Sequence, residues 1–122
     1  NFVNEDMLGS LEFAAKVAGV KTIVVLGHSS CGAVKGACDG VQLGNLTAML
    51  KNIQPAVDGV RGYEDRSSKN SAFVQDVVDL NIQKTMEKIR ANSPILKEME
   101  DNGELSIVGA MYHVNSGVVD FV

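Results

Sequence analysis

Lys21-Thr22-Ile23-Val24-Val25-Leu26-Gly27-His28-Ser29-Ser30-Cys31-Gly32 decides the fold. Its first half, Lys21 to Leu26, is apolar and β-branched with no polar alternation. That pattern predicts a strand buried on both faces, as in a parallel sheet. Its second half packs small residues around one histidine and one cysteine, three apart. A short helix over Cys31–Asp39 is expected next.

On the N-terminal side, Asn4 can cap a helix over Glu5–Ala18. Acidic residues open that helix, Lys16 lies near its end, and Gly19 stops it. On the C-terminal side, Leu43–Ile53 reads as a helix with Pro55 stopping it. Gly59–Asn70 reads as a polar loop. The longest helix covers Ser71–Ala91, where Val74, Val77, Val78, Asn81, Ile82, Thr85, Met86 and Ile89 form one broad apolar face. Ser93-Pro94 starts a short helix that Asn102-Gly103 closes. Leu105–Tyr112 reads as a strand, Asn115-Ser116-Gly117 as a hairpin turn, and Val118–Val122 as an antiparallel return. The whole is an α/β fold, a mainly parallel sheet with flanking helices and a C-terminal antiparallel strand. Lys21–Leu26 pairs parallel with Leu105–Tyr112 through the helical crossover.

The 122 residues allow one domain with its own core. A net charge of −4 argues against nucleic acid as a partner. No stretch approaches the ~20 apolar residues of a membrane span. Two cysteines, Cys31 and Cys38, are too few for a disulfide scaffold. They favour a reducing, cytoplasmic setting; a periplasmic one stays open because the chain begins at Asn1 rather than Met.

GHSSCG (Gly27–Gly32) admits four chemistries. As a nucleophile elbow it would use Ser29, but Cys31 stands where the strained turn needs glycine. As a phosphate loop it lacks the Lys-Ser/Thr pair, since Ala33-Val34 follow Gly32. As half of a metal site, His28 and Cys31 offer an imidazole nitrogen and a thiolate, a donor pair that zinc takes readily. The start of the next helix also favours the Cys31 thiolate. In the fourth reading His28 is a hydrogen-bonded turn residue and Cys31 a small core hydrophobe. On these six residues alone the last two readings stand even.

Gly27-His28-Ser29-Ser30-Cys31-Gly32-Ala33 resembles the G-H-[ST]-x-C-G-[GA] signature of the β-class carbonic anhydrases. Gly9–Gly36 is similar to that family's helix–strand–loop–helix unit, and Asn102–Val122 to its closing strands. Asn1-Phe2-Val3 resembles the end of its R-N-x-[AG]-N-x-V segment. The resemblance implies a zinc ion held by two cysteines and one histidine, with His28 and Cys31 as the second and third protein ligands. It implies reversible hydration of carbon dioxide to bicarbonate by zinc-bound hydroxide, with the Gly32 amide binding substrate and Phe13 lining the pocket. It also implies a homodimer or larger homo-oligomer.

The family's first ligand and its Asp–Arg dyad belong to an upstream C-x-D-x-R motif that these residues do not contain. No catalytic dyad is therefore expected here, the chain alone is expected to be inactive, and the first two strands of the family sheet are expected to be missing. These 122 residues are accordingly expected to be an incomplete domain. The alternative is a non-catalytic, metal-deficient relative or fragment acting as an oligomerising subunit. Cys38 lies about 10 Å along a helix from Cys31, too far to share its ion, and reads as a packed core residue. His113 reads as a solvent-facing hairpin histidine, Asp65-Arg66 as a solvated pair, and Asn81 as a satisfied buried polar group. Ser29→Ala would abolish ester hydrolysis in the hydrolase reading and leave metal binding largely intact in the zinc reading.

Overall fold

The computed structural model describes residues 1–122. Helix α1 (Glu5–Glu12) begins at Asn4, whose side chain accepts the Met7 N–H at 2.9 Å. One helix to Ala18 was expected. Instead the last turn widens into a π-helical segment, Phe13–Val17, ending at Gly19 with φ +78°. A wider turn rotates the helix face. Here Ala15 is buried, while Phe13 and Val17 are exposed.

Strand β1 (Thr22–His28) runs two residues further than the apolar run suggests, carrying His28 at its end. Helices α2 (Gly32–Cys38), α3 (Gly44–Leu50), α4 (Gln54–Gly59), α5 (Ser71–Asn92) and α6 (Pro94–Asp101) form the crossover to β2 (Ser106–Tyr112). The short β3 (Val119–Phe121) closes the sheet, in the order β1-β2-β3. β1 and β2 are parallel and in register from Thr22↔Ser106 to His28↔Tyr112. β3 is antiparallel, with Tyr112 opposite Val119 and Ala110 opposite Phe121.

The expected helix Leu43–Ile53 stops earlier, at Leu50, and the chain restarts as α4 with Pro55 in its first turn. A proline there lacks only an N–H that has no helical partner, so it opens a helix as readily as it ends one.

Helix α5 is the spine. Its buried face is Phe73, Val74, Val77, Val78, Asn81, Ile82, Thr85, Met86 and Ile89, as the spacing predicts. Asn70 caps its start, and Ser93 caps α6 by accepting the Leu96 N–H. The sheet lies on α5 closely enough to require glycine twice. A Cβ on Gly27 would stand 2.6 Å from Ile82 Cδ1, and one on Gly109 2.7 Å from Ile82 Cγ2. Side chains alternate along a strand, so Ile23 and Val25 share the buried face with Gly27, and Val24 and Leu26 take the other. Those two are 44% and 43% exposed. Burial on both faces, the expectation from the apolar pattern, is thus corrected, since the second face is left partly uncovered; β1 is an edge strand, as expected of Thr22–Leu26 without the family's first two strands.

The 59–70 loop is also less solvated than expected. Asp65 is exposed, its carboxylate accepting the Ser67 N–H and hydroxyl. Arg66 instead turns inward. Its guanidinium donates to the Val60 and Val57 carbonyls at 2.6 and 2.7 Å and lies 4.7 Å from the centre of the Phe73 ring. Carbonyls at the C-terminal end of α4 have no helical donor, and a planar guanidinium can bridge two of them while stacking on an aromatic face. That gain outweighs full hydration of Arg66.

Candidate metal loop

The loop after β1 is built by three consecutive residues. His28 is exposed, and its Nδ1 lies 2.9 Å from the Ser29 carbonyl oxygen. A carbonyl oxygen only accepts, so Nδ1 carries the proton and the neutral ring keeps its lone pair on Nε2. Ser29 is half-buried; its N–H donates to the Tyr112 carbonyl at 2.9 Å, and its hydroxyl accepts the Val114 N–H at 3.0 Å. Ser30 takes a left-handed backbone, φ +57°, the only non-glycine residue to do so. That turn leads to Cys31, the residue before α2, a free thiol half-buried against the core.

The loop is held from behind. The Asn1 side chain donates to the Leu26 carbonyl at 2.9 Å, on the edge of β1. The Asn1 carbonyl accepts from Asn81 Nδ2 at 2.6 Å and from the Thr85 hydroxyl at 3.3 Å. Asn81 is therefore a satisfied buried polar group, as expected.

The other sequence candidates lie apart from this loop. Phe13 is 62% exposed, on a groove lined with Val3, Leu8, Lys88 and Asn92 and by none of His28, Cys31 or Gly32. Cys38 is half-buried against the core, and burial pushes its thiol pKa up. His113 is partly exposed, its Nε2 2.9 Å from Asp120 across the hairpin. No histidine is hydrogen-bonded to the Ser29 hydroxyl, so the nucleophile reading lacks its base. Nowhere do three His, Cys, Asp or Glu side chains come together as a metal cluster. His28 and Cys31 have the chemistry that zinc selects, an imidazole lone pair and a free thiol, but they are two donors where a catalytic site uses three.

Sequence reasoning missed the Ser29 clamp and the Asn1 anchor. Both join residues at least 80 positions apart. Only the polar Asn81 on an otherwise apolar helix face signalled the second.

The family model described as "Carbonic anhydrase" matches residues 1–119. The chain belongs to the carbonic anhydrase family. Among its relatives, carbonic anhydrase 2 of Mycobacterium tuberculosis is 32% identical over 120 residues, 94% of this chain and 55% of its own length. The Mycolicibacterium smegmatis carbonic anhydrase is 28% identical over 123 residues, covering 97% of this chain and 57% of its own. The chain thus spans about half the length of the relatives it matches.

Solved structures of the β class share the fold. The Coccomyxa β-carbonic anhydrase in complex with acetazolamide superposes with a TM-score of 0.81 at 22% identity, over 99% of this chain and 56% of that one. A tetrameric β-carbonic anhydrase of Sordaria macrospora gives 0.79 at 22% identity, over 100% and 62%. The α/β architecture is therefore that of the β-carbonic anhydrases, over about half the length of the matched chains. No helix is long and apolar enough to cross a membrane.

Proposed function

We propose that the chain serves the reversible hydration of carbon dioxide to bicarbonate, and that His28 and Cys31 are two of the protein ligands of a zinc ion. The observation that carries this reading is the Nδ1–H···O bond of His28. It leaves an exposed Nε2 lone pair three residues from a free thiol, at the end of the strand that fixes the fold. Zinc, when bound, supplies a Lewis acid that makes water nucleophilic at neutral pH.

The residues of this chain then have separate tasks. His28 donates Nε2, and Cys31 loses its thiol proton to become a thiolate. Gly32 opens α2, so its N–H has no helical acceptor and is free to meet a substrate oxygen. Phe13 adds an apolar wall from a second copy of the chain, since within one copy it stays apart from the loop. Self-association is further supported by the exposed Val24, Leu26, Phe121 and Val122. The same surface favours the second reading, a metal-deficient oligomerising subunit. Two free cysteines suit a reducing, cytoplasmic setting.

Two donors do not complete a catalytic site, and the remaining one comes from elsewhere in the assembled enzyme. The test is stopped-flow carbon dioxide hydration with zinc present. The chain is assayed alone and with the N-terminal half of the Mycobacterium tuberculosis relative supplied in trans. Background rates alone and a zinc-dependent gain on mixing, lost in His28→Ala and Cys31→Ser, are expected. A gain that survives either substitution contradicts the assignment.

A further inference from the structure

We propose that Ser29 is the positioning residue of the metal loop, its hydroxyl fastening the loop to the β2–β3 hairpin so that His28 keeps one ring orientation. The proposal rests on His28 being a zinc ligand. On sequence alone Ser29 matters only to a hydrolase, and Ser29→Ala is expected to leave metal binding largely intact; the structure revises that expectation. In the structure all three polar groups of its backbone and side chain are engaged, each by a different segment.

The Ser29 N–H donates to the Tyr112 carbonyl, extending the β1–β2 ladder one residue past the strand. The hydroxyl accepts the N–H of Val114, which lies beyond β2 in the turn. The carbonyl accepts His28 Nδ1–H. The ring that presents Nε2 is thus fixed by the peptide that the hairpin fixes. A hydrogen bond from the ring nitrogen that does not meet the metal sets the tautomer and orientation of a ligating histidine.

The hairpin is a firm support. Gly117 N–H donates to the His113 carbonyl at 2.8 Å, His113 N–H to the Val118 carbonyl at 2.8 Å, and the His113 ring meets Asp120. Beyond Ser29, the left-handed Ser30 needs its neighbours held, because such a conformation persists only where the surroundings over-determine it. Ser29 holds one side and the start of α2 the other.

The hydroxyl can be isolated from the two main-chain bonds. Ser29→Ala keeps both and removes only the acceptor for Val114. Ser29→Thr restores that acceptor. Val114→Pro removes the donor while leaving Ser29 intact, at a turn position that proline suits.

Two readouts decide the matter in the full chain. The first is the tautomer of His28 by ¹⁵N long-range NMR, without metal and with the ring neutral. Wild type and Ser29→Thr are expected to show Nδ1–H alone, and Ser29→Ala and Val114→Pro a mixture. The second is Co²⁺ affinity, expected to fall about tenfold in Ser29→Ala and Val114→Pro and to recover in Ser29→Thr, the lower end for loss of an outer-shell partner. A Ser29→Ala protein that melts lower but keeps the wild-type tautomer and Co²⁺ affinity overturns the proposal, leaving Ser29 a merely structural residue. If the wild-type chain binds no Co²⁺, the metal reading fails, and the tautomer comparison still decides for or against Ser29 as the residue that orients His28.

Discussion

Gly27→Ala is expected to destabilise the chain through one identifiable atom. The residue precedes His28 and lies on the sheet face against α5. Its φ is not in the left-handed region, so alanine meets no backbone penalty there. The obstacle is steric: the new Cβ would lie 2.6 Å from Ile82 Cδ1, 2.9 Å from Ile82 Cγ1 and 3.2 Å from Val78 Cγ1. Ile82 is fully buried, and its Cγ2 already lies against Gly109 on the neighbouring strand, so it has little room to retreat. Overpacking of this kind costs about 1–3 kcal/mol. Restricting the unfolded chain returns roughly 0.5 kcal/mol. The net loss is about 0.5–2.5 kcal/mol. With an unfolding entropy of about 2.1 cal/mol/K per residue over 122 residues, that lowers Tm by about 2–10 °C.

Ile82→Val removes Cδ1, the closest atom, and by itself costs about 0.5–1.5 kcal/mol. In the double variant the two losses should fall short of additivity by at least about 0.5 kcal/mol. Urea and thermal unfolding followed by circular dichroism give all four corners of the cycle. A neutral Gly27→Ala, or strict additivity, refutes the claim that Ile82 sets the distance between α5 and β1.

Arg66→Ala should cost about 2–3 kcal/mol in urea unfolding. It strands the Val57 and Val60 carbonyls and uncovers Phe73. Arg66→Lys should recover less than half, because an ammonium cannot form the planar fork; full recovery would contradict this account. For Glu100, hydrogen bonds from Arg90 hold the carboxyl below its ordinary 4.5. A carboxylate depressed by folding adds stability above its unfolded pKa and loses it as pH falls through the folded one. The Tm advantage of wild type over Glu100→Gln should thus be full above about pH 5 and fade at lower pH. An advantage that persists undiminished at pH 3 would count against it.

Much of this architecture was legible along the chain. The alternating gaps of three and one in α5 can only be a helix with one apolar face, and Asn115-Ser116-Gly117 between two apolar runs can only turn back. The parallel pairing of β1 with β2 followed from the helical crossover. What the sequence hid was relational. The π-helical turn at Phe13–Val17 does not change which residues are apolar, only where they face. Arg66 looks like any loop arginine until the carbonyls ending α4 stand beside it. Val24 and Leu26 read as buried because their side chains are apolar, yet burial depends on what covers the sheet. In the site, His28 and Cys31 stand out by spacing and resemblance. The hydrogen bonds that hold Ser29, between them in the loop, join it to Tyr112 and Val114, over eighty residues away.

The most direct test of the central claim is a Co²⁺ titration followed through the thiolate-to-metal charge-transfer band, in wild type, His28→Ala, Cys31→Ser and Cys38→Ser. The account predicts weak binding with one thiolate, lost in His28→Ala and Cys31→Ser and unchanged in Cys38→Ser. A band that survives Cys31→Ser, or that disappears in Cys38→Ser, would contradict it.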